Sequence, residues 1–332
     1  MGLFLAVDGG QTATRVVLAG EEGQILGQAT GGPSNHTEEP GGPERLEQVI
    51  LETVNRVLAD LGRAPIDQQE FAAACFGMTG ETIIKKRILE RIIKTRHLSV
   101  VHDSVNALMG ATAGDPGLIV IAGTGSVARG IDARGRQLRV GGWGHLFGDE
   151  GSAYWIGREA IRAVASELDG FGEPTALTRL LLTQLAVPSA YALMEKYYSG
   201  EWSRDHMAGL ALWVSKAASD GDRVAQVILR EAGRQLAKSA IAVIAVLFAS
   251  SDTAAGQAEL PKAPLVSYVG GVFENQFVLA EFKDAVRGAY AGVRIDPPLL
   301  PPVLGSLLLA YQSAGIELSG RICRTWSNVQ PF

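Results

Sequence analysis

The sequence is poor in the residues that build disulfide frameworks, metal sites and membrane anchors. Of its 332 residues, two are cysteine and five are histidine. Cys75 and Cys323 are too far apart in sequence to form a disulfide framework or a closed zinc site, which is typical of a reducing compartment. The longest apolar run, Ser239 to Ser250, is too short to span a bilayer, and the N-terminus lacks the basic segment of a signal peptide. These absences predict a cytoplasmic protein with no membrane partner.

Long runs of positive charge are lacking as well. The net charge is −5, and the 30 lysines and arginines are scattered along the chain. The densest group, Lys85-Lys86-Arg87, is interpreted as one turn of a solvated helix. Because a nucleic-acid-binding protein needs a basic patch or stripe, the sequence excludes a nucleic-acid partner.

Length and glycine content point to a two-lobe enzyme. A chain of 332 residues exceeds what one hydrophobic core usually serves, and 47% of the residues are hydrophobic. The 40 glycines exceed what packing alone requires, so they are expected to mark tight turns.

Alternating apolar patterns predict two related α/β lobes. Residues 1–115 have the order βββαβαβα, and the pattern restarts near Asp115 with a strand, a glycine turn carrying a threonine, and a returning strand. Residues 116–318 are predicted to form the second lobe, which includes a mostly helical block from Ser152 to Leu247. Residues 319–332 are interpreted as a tail. The sequence thus predicts two duplicated lobes with mixed sheets.

Two glycine turns could cradle phosphates. DGGQT at residues 8–12 and GTGS at residues 123–126 each lie between two predicted strands, so backbone N–H groups and a hydroxyl face into the turn. Either turn could instead be an ordinary hairpin. Asp8, at a strand end, could hold Mg²⁺ through water. A third turn, VGGVFEN at residues 269–275, suits contact with the sugar or base of a nucleotide, or is an ordinary βα turn.

The stretch Gly141 to Gly157, GGWGHLFGDEGSAYWIG, is a glycine-rich segment feeding a helix, where a polar ligand could dock. Asp149 is predicted to contact a ligand, although it could simply favour the helix N-terminus. His145 is interpreted as a turn residue, since no second ligand lies at metal-site spacing. Tyr154 and Trp155 are predicted to lie in the core.

Taken in order, these motifs resemble the N-acetylglucosamine kinase family. That family belongs to the BadF/BadG/BcrA/BcrD ATPase group of the sugar kinase, Hsp70 and actin superfamily. The resemblance covers nearly the whole chain, and its most specific part is GGWGH-x-x-GDEGSAYWI. It implies a two-lobe actin-like ATPase (ribonuclease H-like) fold with a helical insertion in the second lobe, ATP and Mg²⁺ as cofactors, and a homodimer.

The resemblance also assigns roles to individual residues. The phosphate turns match Gly9, Gly10, Gln11, Thr12, Gly123, Thr124, Gly125 and Ser126. The adenosine turn matches Gly270 and Gly271, and Gly209 falls where the family has a glycine near the nucleotide. The sugar contacts match Asn35, Asp103, Gly142, Trp143 and Asp149. In two departures, Gln11 replaces a frequent third glycine and Thr37 replaces an aromatic found in some relatives.

Asp103 is the candidate general base. A primary hydroxyl is far too weak an acid to ionise at neutral pH, so a carboxylate must accept its proton as the O–P bond forms. The alternative is that Asp103 merely caps a helix beginning at Ser104.

The resulting prediction is an ATP-dependent amino-sugar kinase that phosphorylates the 6-hydroxyl of N-acetylglucosamine, with glucosamine and N-acetylmuramic acid as the next candidates. One alternative is an ATPase activator of a radical dehydratase or reductase. Such proteins hold a cluster through cysteines, and neither Cys75 in a core strand nor Cys323 in the tail suits that role. The other alternative is a non-catalytic sugar sensor, for which the chain has no spare output segment.

Overall fold

A computed structural model describes residues 2–10, 12–34, 37, 39–249, 264–316 and 326. It divides into two compact units, Met1–Asp115 with Pro298–Phe332 and Pro116–Pro297. The change from the first unit to the second falls between residues 115 and 116, where the sequence predicts a lobe boundary. None of the helices in these ranges is long and apolar enough to cross a membrane.

The first unit follows the predicted βββαβαβα order, with two additional two-residue strands. Its elements are β1 Phe4–Gly9, β2 Thr14–Ala19, β3 Ile25–Gly31, α1 Gly42–Asp60, β4 Glu70–Phe71, β5 Ala73–Met78, α2 Thr82–Ile92, β6 Lys94–Thr95, β7 Leu98–His102 and α3 Asp103–Thr112. The main sheet has the order β3-β2-β1-β5-β7, while β4 and β6 form a small separate pair. β1 pairs antiparallel with β2 and parallel with β5, and β5 pairs parallel with β7.

The second unit contains a similar sheet and the predicted helical block. Its elements are β8 Gly117–Ala122, β9 Ser126–Ile131, β10 Gln137–Gly141, α4 Ala153–Leu168, α5 Ala176–Gln184, α6 Ala190–Tyr198, α7 Arg204–Ser219, α8 Arg223–Leu247, β11 Leu265–Val269, a 3-10 turn Gly271–Glu274, α9 Gln276–Ala289 and β12 Arg294–Asp296. The sheet order is β10-β9-β8-β11-β12. β8 pairs antiparallel with β9 and parallel with β11, so the arrangement around β8 repeats that around β1.

The central strand β1 is apolar on both faces because helices cover both sides of its sheet. Leu5 and Val7 belong to the core formed with α1 and α2, whereas Phe4 and Ala6 belong to the core beneath the last helix, α10 Pro302–Ser313. A strand that is buried on both faces has a continuous run of apolar residues in its sequence, and β1 begins with such a run.

Helix α10 packs in the first unit, whereas the sequence-based division had placed residues 298–318 with the second lobe. Ser306 Oγ donates to the carbonyl oxygen of Val7 in β1 at 2.8 Å. Gly305 lets α10 lie against α3, since a Cβ there would be 1.9 Å from the carbonyl oxygen of Asn106. Within the predicted tail, Trp326 is buried and donates to the carbonyl oxygen of Gly23 at 2.7 Å. These contacts tie α10 and Trp326 to the first unit.

The basic group on α2 is a second departure from the sequence-based interpretation. Lys86 and Arg87 are exposed, but Lys85 is only 1% exposed. Lys85 shares the inner face of α2 with Ile88 and Leu89, and its ammonium donates to the carbonyl oxygen of Thr79. The interpretation of all three residues as a solvated turn is therefore wrong for Lys85.

In the second unit the long helix α8 anchors the helical block. Its buried residues recur with helical spacing, from Ala225, Ile228 and Leu229 onward, and they join one continuous core with the sheet. Gly233 allows α9 to approach α8 closely, because a Cβ would be 2.5 Å from the carbonyl oxygen of Val278. Tyr154 and Trp155 at the start of α4 are buried in this core, which confirms their prediction.

Candidate active site

Two carboxylates of the first unit lie at the same edge of its sheet. Asp8 is the penultimate residue of β1, and Asp103 begins α3 directly after β7. Both strands run parallel to β5, so their carboxyl ends share one edge. Burial raises the pKa of Asp8, and the negative charge of Asp103 raises it further, against a hydrogen bond from Asn106 and the attraction of Arg15. The two carboxylates are thus near enough to interact electrostatically.

Asp8 is held in place by a buried amide. Asn106 Nδ2 donates to Asp8 Oδ1 at 3.1 Å and lies 3.2 Å from the carbonyl oxygen of Pro302. The amide packs over Gly77 of β5, where a Cβ would be 2.1 Å from the Asn106 side chain. On the other side, Arg15 Nη1 lies 3.6 Å from Asp8 Oδ2. These contacts fix the carboxylate at the end of β1.

Asp103 is held by one donor on each oxygen. Thr79 Oγ1 donates to Oδ2 at 2.8 Å, and His102 Nδ1 lies 2.7 Å from Oδ1. An unprotonated Nδ1 and the carboxylate oxygen would repel each other at that distance, so we assign the ring proton to Nδ1. The other arrangement, in which Nδ1 accepts from the Ser104 N–H, has a longer distance of 3.3 Å. Burial raises the pKa of Asp103, but His102 and Thr79 together outweigh it and leave the pKa lowered. The group is ionised at neutral pH.

The alternative that Asp103 caps a helix beginning at Ser104 is wrong. The cap of α3 is His102, and Asp103 is the first helical residue. About a third of the Asp103 side chain is exposed to solvent. The carboxylate therefore keeps an open face beside its two bound oxygens.

The first glycine turn is closed by one hydrogen bond within the turn and by contacts with Ser34. The Gly10 N–H donates to the carbonyl oxygen of Ala13 at 3.0 Å, and Thr14 Oγ1 donates to Ser34 Oγ at 2.9 Å. Gly9 has no room for a side chain, since a Cβ would be 2.5 Å from Ser34 Oγ and 2.6 Å from the sulfur of Met78. The segment ending at Ser34 therefore lies against this turn.

The second glycine turn directs two of its N–H groups, those of Thr124 and Gly125, away from α4. The carbonyl oxygens of Gly123 and Thr124 accept hydrogen bonds from the N–H groups of Ala153 and Tyr154, at 2.9 and 3.3 Å. Because the C=O and N–H of a trans peptide point in opposite directions, the N–H groups of Thr124 and Gly125 face away from the helix. This orientation suits an anion cradle.

Asp149 is a buried and strained residue that closes the second turn. It is 3% exposed and has a φ of 64°, in the left-handed region. Its Oδ1 accepts from the Ser126 N–H at 3.1 Å, and its Oδ2 accepts from Arg204 Nη2 at 2.6 Å. Gly125 leaves space for this pair, because a Cβ there would be 2.3 Å from Arg204 Nη2.

The loop between β10 and α4 presents an exposed indole. Trp143 is 68% exposed, and the guanidinium carbon of Arg139 lies 5.4 Å from the centre of its ring. Gly142, with a φ of 72°, supplies the left-handed turn that precedes it. Leu146 and Phe147 on the same loop are exposed as well. The loop thus offers an uncovered apolar surface next to a cation.

The third glycine turn brings two strands together. Gly270 has a φ of 109°, and a Cβ would lie 2.2 Å from the carbonyl oxygen of Ala122 at the end of β8. Gly271 begins the 3-10 turn with open space around it, and Gly209 lies on the exposed side of α7 with nothing within 4 Å of a Cβ. Close packing explains why residue 270 is a glycine, but it does not explain the glycines at positions 271 and 209.

Two predicted site residues, Gln11 and Asn35, lie outside the described residues, as does Cys323. In the ranges that are described, no group of three or more histidine, cysteine, aspartate or glutamate residues could hold a metal ion. The buried carboxylate of Asp8, with a second negative charge nearby, still fits a Mg²⁺ ion that takes most of its ligands from water and phosphate.

Comparison with known proteins places the chain in a family. The family model of the BadF/BadG/BcrA/BcrD ATPases matches residues 5–310. The chain belongs to the BadF/BadG/BcrA/BcrD ATPase family. It is 31% identical over 316 residues to the N-acetylmuramic acid/N-acetylglucosamine kinase of Clostridium acetobutylicum, which covers 93% of this chain and 98% of the relative.

Solved structures agree on the fold. A Chromobacterium violaceum protein, provisionally described as an N-acetylglucosamine kinase, superposes with a TM-score of 0.69 at 28% identity, covering 93% of this chain and 99% of its own. A ROK family glucokinase from Streptomyces griseus, solved with glucose and AMPPNP, gives a TM-score of 0.55 at 18% identity, over 94% of this chain and 100% of its own. The predicted actin-like ATPase fold with duplicated sheets is confirmed.

Sequence reasoning missed five residues of these sites, one of which is His102 beside Asp103. Thr79, Asn106 and Arg15 contact the predicted acids of the first unit, and Arg204 contacts Asp149 in the second. Asn106 carried a signal, since it is a polar residue in an otherwise apolar stretch of helix, three positions after Asp103. Arg204 carried none, because it lies 55 residues from its partner.

Proposed function

We propose that the protein is an ATP-dependent amino-sugar kinase. It would transfer the γ-phosphoryl group of ATP to the 6-hydroxyl of N-acetylglucosamine, glucosamine or N-acetylmuramic acid. The observation that carries the proposal is Asp103, an ionised carboxylate held by two donors, with one open face, at the sheet edge that also bears the first glycine turn. Relatives named as amino-sugar kinases at 31% and 28% identity support the substrate class.

In this proposal Asp103 is the general base. The sugar hydroxyl keeps its proton until its oxygen begins to bond to phosphorus, and the carboxylate accepts that proton as the bond forms. The bond from the γ-phosphorus to the bridging oxygen breaks, and ADP leaves with the electron pair. The lowered pKa of Asp103 keeps it unprotonated and ready to accept before each turnover.

The glycine turns would hold the nucleotide. The phosphates would contact the turns at residues 9–12 and 123–126, and adenosine would lie at Gly270 and Gly271, with Gly209 nearby. The outward N–H groups of Thr124 and Gly125 support this assignment. Mg²⁺, held through water by Asp8, would neutralise charge on the phosphate oxygens.

The sugar would contact Asn35, Gly142, Trp143 and Asp149 in addition to the base. An exposed indole such as that of Trp143 can pack against the apolar face of a pyranose. The assignment of Asp149 rests on the resemblance alone, because its side chain is 3% exposed and each of its oxygens already accepts a hydrogen bond.

Cys75 argues against the radical-enzyme activator. Its side chain is buried in β5, and burial raises the pKa of its thiol to about 12. A cluster ligand must be a thiolate, so this cysteine is unsuited to hold iron and sulfur.

The test is ADP release measured over glucose, glucosamine, N-acetylglucosamine and N-acetylmuramic acid, with product identification by phosphorus–proton NMR. We expect sugar-dependent ADP release that is fastest with an amino sugar, and phosphate attached to the 6-oxygen. Preference for glucose, or ADP release that is independent of sugar, would overturn the proposal.

A further inference from the structure

Thr79 lies between the first phosphate turn and the candidate base. It follows β5 directly, and its N–H donates to the carbonyl oxygen of Gly9 in β1 at 3.2 Å. Its hydroxyl donates to Asp103 Oδ2 at 2.8 Å. One residue therefore contacts both the strand that leads into the turn and the carboxylate on the neighbouring helix.

The hydroxyl proton of Thr79 has a clear preferred acceptor. Thr79 Oγ1 also lies 3.5 Å from the carbonyl oxygen of Gly9, but it has a single proton to donate. A hydrogen bond to an ionised carboxylate is shorter and about twice as strong as one between neutral groups. The proton is thus directed at Asp103.

The main chain of Thr79 is fixed on its other side by a buried cation. The ammonium of Lys85, on the inner face of α2, donates to the carbonyl oxygen of Thr79. Gly80 follows with a φ of 82°, which turns the chain toward α2. With its N–H held by Gly9 and its C=O held by Lys85, Thr79 has little freedom to move its hydroxyl away from Asp103.

We propose that Thr79 is the positioning residue of the general base, holding the Asp103 carboxylate in a fixed orientation relative to the first phosphate turn. This inference rests on the proposed function, since it assigns Thr79 a part in the same reaction. It adds a residue that acts through Asp103 and does not itself touch the reacting atoms.

Several charged groups around Asp103 also influence its pKa, and they remain when the Thr79 hydroxyl is removed. His102 at the end of β7 stabilises the ionised Asp103 carboxylate, Asp8 on β1 repels its negative charge, and Arg15 on β2 partly offsets Asp8. Thr79 is neutral, so replacing it leaves all these charges in place. Because its hydrogen bond lowers the pKa of Asp103, its removal should raise that pKa.

The first experiment compares Thr79→Val, which keeps the shape without the hydroxyl, with Thr79→Ser, which keeps the hydroxyl. We expect Thr79→Val to lower kcat about 30-fold, as a misplaced catalytic group does, with little change in KM for ATP or sugar. The acid limb of the kcat profile should move to higher pH. Thr79→Ser should restore both. Equal kcat and pH profiles in wild type and Thr79→Val, or a Thr79→Ser variant as impaired as Thr79→Val, would overturn the assignment.

A double-mutant cycle asks whether Thr79 acts through Asp103. In an Asp103→Asn background, Thr79→Val should cause no further loss of the residual rate. A further 30-fold loss would mean that Thr79 acts elsewhere.

A third measurement needs no substrate. A carboxylate with a lowered pKa stabilises the fold at pH values above its unfolded pKa of about 3.9, and this stability is lost as pH falls through the folded pKa. Unfolding midpoints are measured from pH 3 to 6 for wild type and Asp103→Asn, and again for the same pair carrying Thr79→Val. The difference between the two members of a pair should be smaller in the pair that carries Thr79→Val. An unchanged difference would contradict the Thr79 proposal. If wild type instead phosphorylated no amino sugar, the proposed function would fail while this result still stood.

Discussion

The two sheets of the molecule share one strand arrangement but differ in the charges at their glycine turns. In each sheet a central strand leads through a glycine turn into an antiparallel neighbour and pairs with a parallel strand on its other side. The first turn stands beside two carboxylates, Asp8 and Asp103, that lie at the ends of strands. The second stands beside one carboxylate, Asp149, which comes from a loop and is paired with Arg204.

This difference agrees with the separate roles that we propose for the two units. The first unit has two interacting carboxylates whose charge Arg15 offsets only in part, and burial and Asp103 raise the pKa of Asp8, which suits proton transfer and a bound cation. The neutralised charge of the second unit suits a rigid turn that holds an anionic ligand. The two sheets thus share one strand arrangement, while the side chains beside their glycine turns come from different parts of the chain.

The largest expected effect tests this division by removing one acid from each unit. Asp103→Asn should lower kcat about 10³-fold, the scale of general-base catalysis. Asp149→Asn should mainly raise KM for the sugar, with kcat changed by much less. Steady-state ADP release for both variants is the measurement. Near-normal turnover in Asp103→Asn would refute the base assignment, and a larger kcat loss in Asp149→Asn would reverse the comparison.

The next effect concerns the buried ion pair of the second unit. Arg204→Met leaves the Asp149 charge without its cationic partner, which should cost about 3 kcal/mol in the free energy of unfolding. The double variant with Asp149→Asn should recover part of that loss. Arg139→Met, at the exposed cation beside Trp143, serves as the matched control and should change stability by less than about 0.5 kcal/mol. Urea unfolding curves give the free energy of unfolding of each variant. Equal stability of Arg204→Met and Arg139→Met would contradict a stabilising role for the Arg204–Asp149 pair.

A smaller effect is expected from the glycines of the second turn. Gly125→Ala should cost about 2 kcal/mol, since the new Cβ must displace the flexible end of Arg204 and disturb Asp149. It should also raise KM for ATP. Gly123→Ala is the matched control, because nothing lies within 4 Å of a Cβ at that position. Thermal unfolding of the two variants is compared, and indistinguishable midpoints would argue against the crowding at Gly125.

The smallest effect separates the two acids of the first unit. Burial makes ionised Asp8 a cost to the folded state, so Asp8→Asn should stabilise the protein by about 1 kcal/mol at neutral pH. That gain should vanish as pH falls below the unfolded Asp pKa of about 3.9. Asp103→Asn should instead be less stable than wild type at neutral pH, because the pKa of Asp103 is lowered in the folded state, and this deficit should vanish as pH falls below the same value. Unfolding free energies measured from pH 3 to 7 test both the gain expected for Asp8→Asn and the deficit expected for Asp103→Asn. Activity of Asp8→Asn should fall with the loss of its carboxylate.

Local patterns in the sequence were enough to predict the sheets, the glycine turns and the position of Asp103 after a strand. Lys85 could have been predicted as well, since it lies three residues before the buried Ile88, but its charge suggested a solvated face. The Arg204–Asp149 pair and the Thr79–Asp103 contact join separate segments, so no local period or motif reveals them. The same reason explains why α10 was placed with the segment it follows in sequence.

Helix α10 also determines which part of the protein can be completed first during synthesis. The second unit is one continuous stretch ending at residue 297, whereas the first unit needs both residues 1–115 and the segment from 298 onward. Until α10 emerges from the ribosome, Val7 lacks the hydrogen bond from Ser306 and one face of β1 lacks most of the apolar side chains that cover it. The unit that begins the chain is therefore the last to be finished, and a nascent chain halted before residue 298 would expose an uncovered apolar sheet to chaperones.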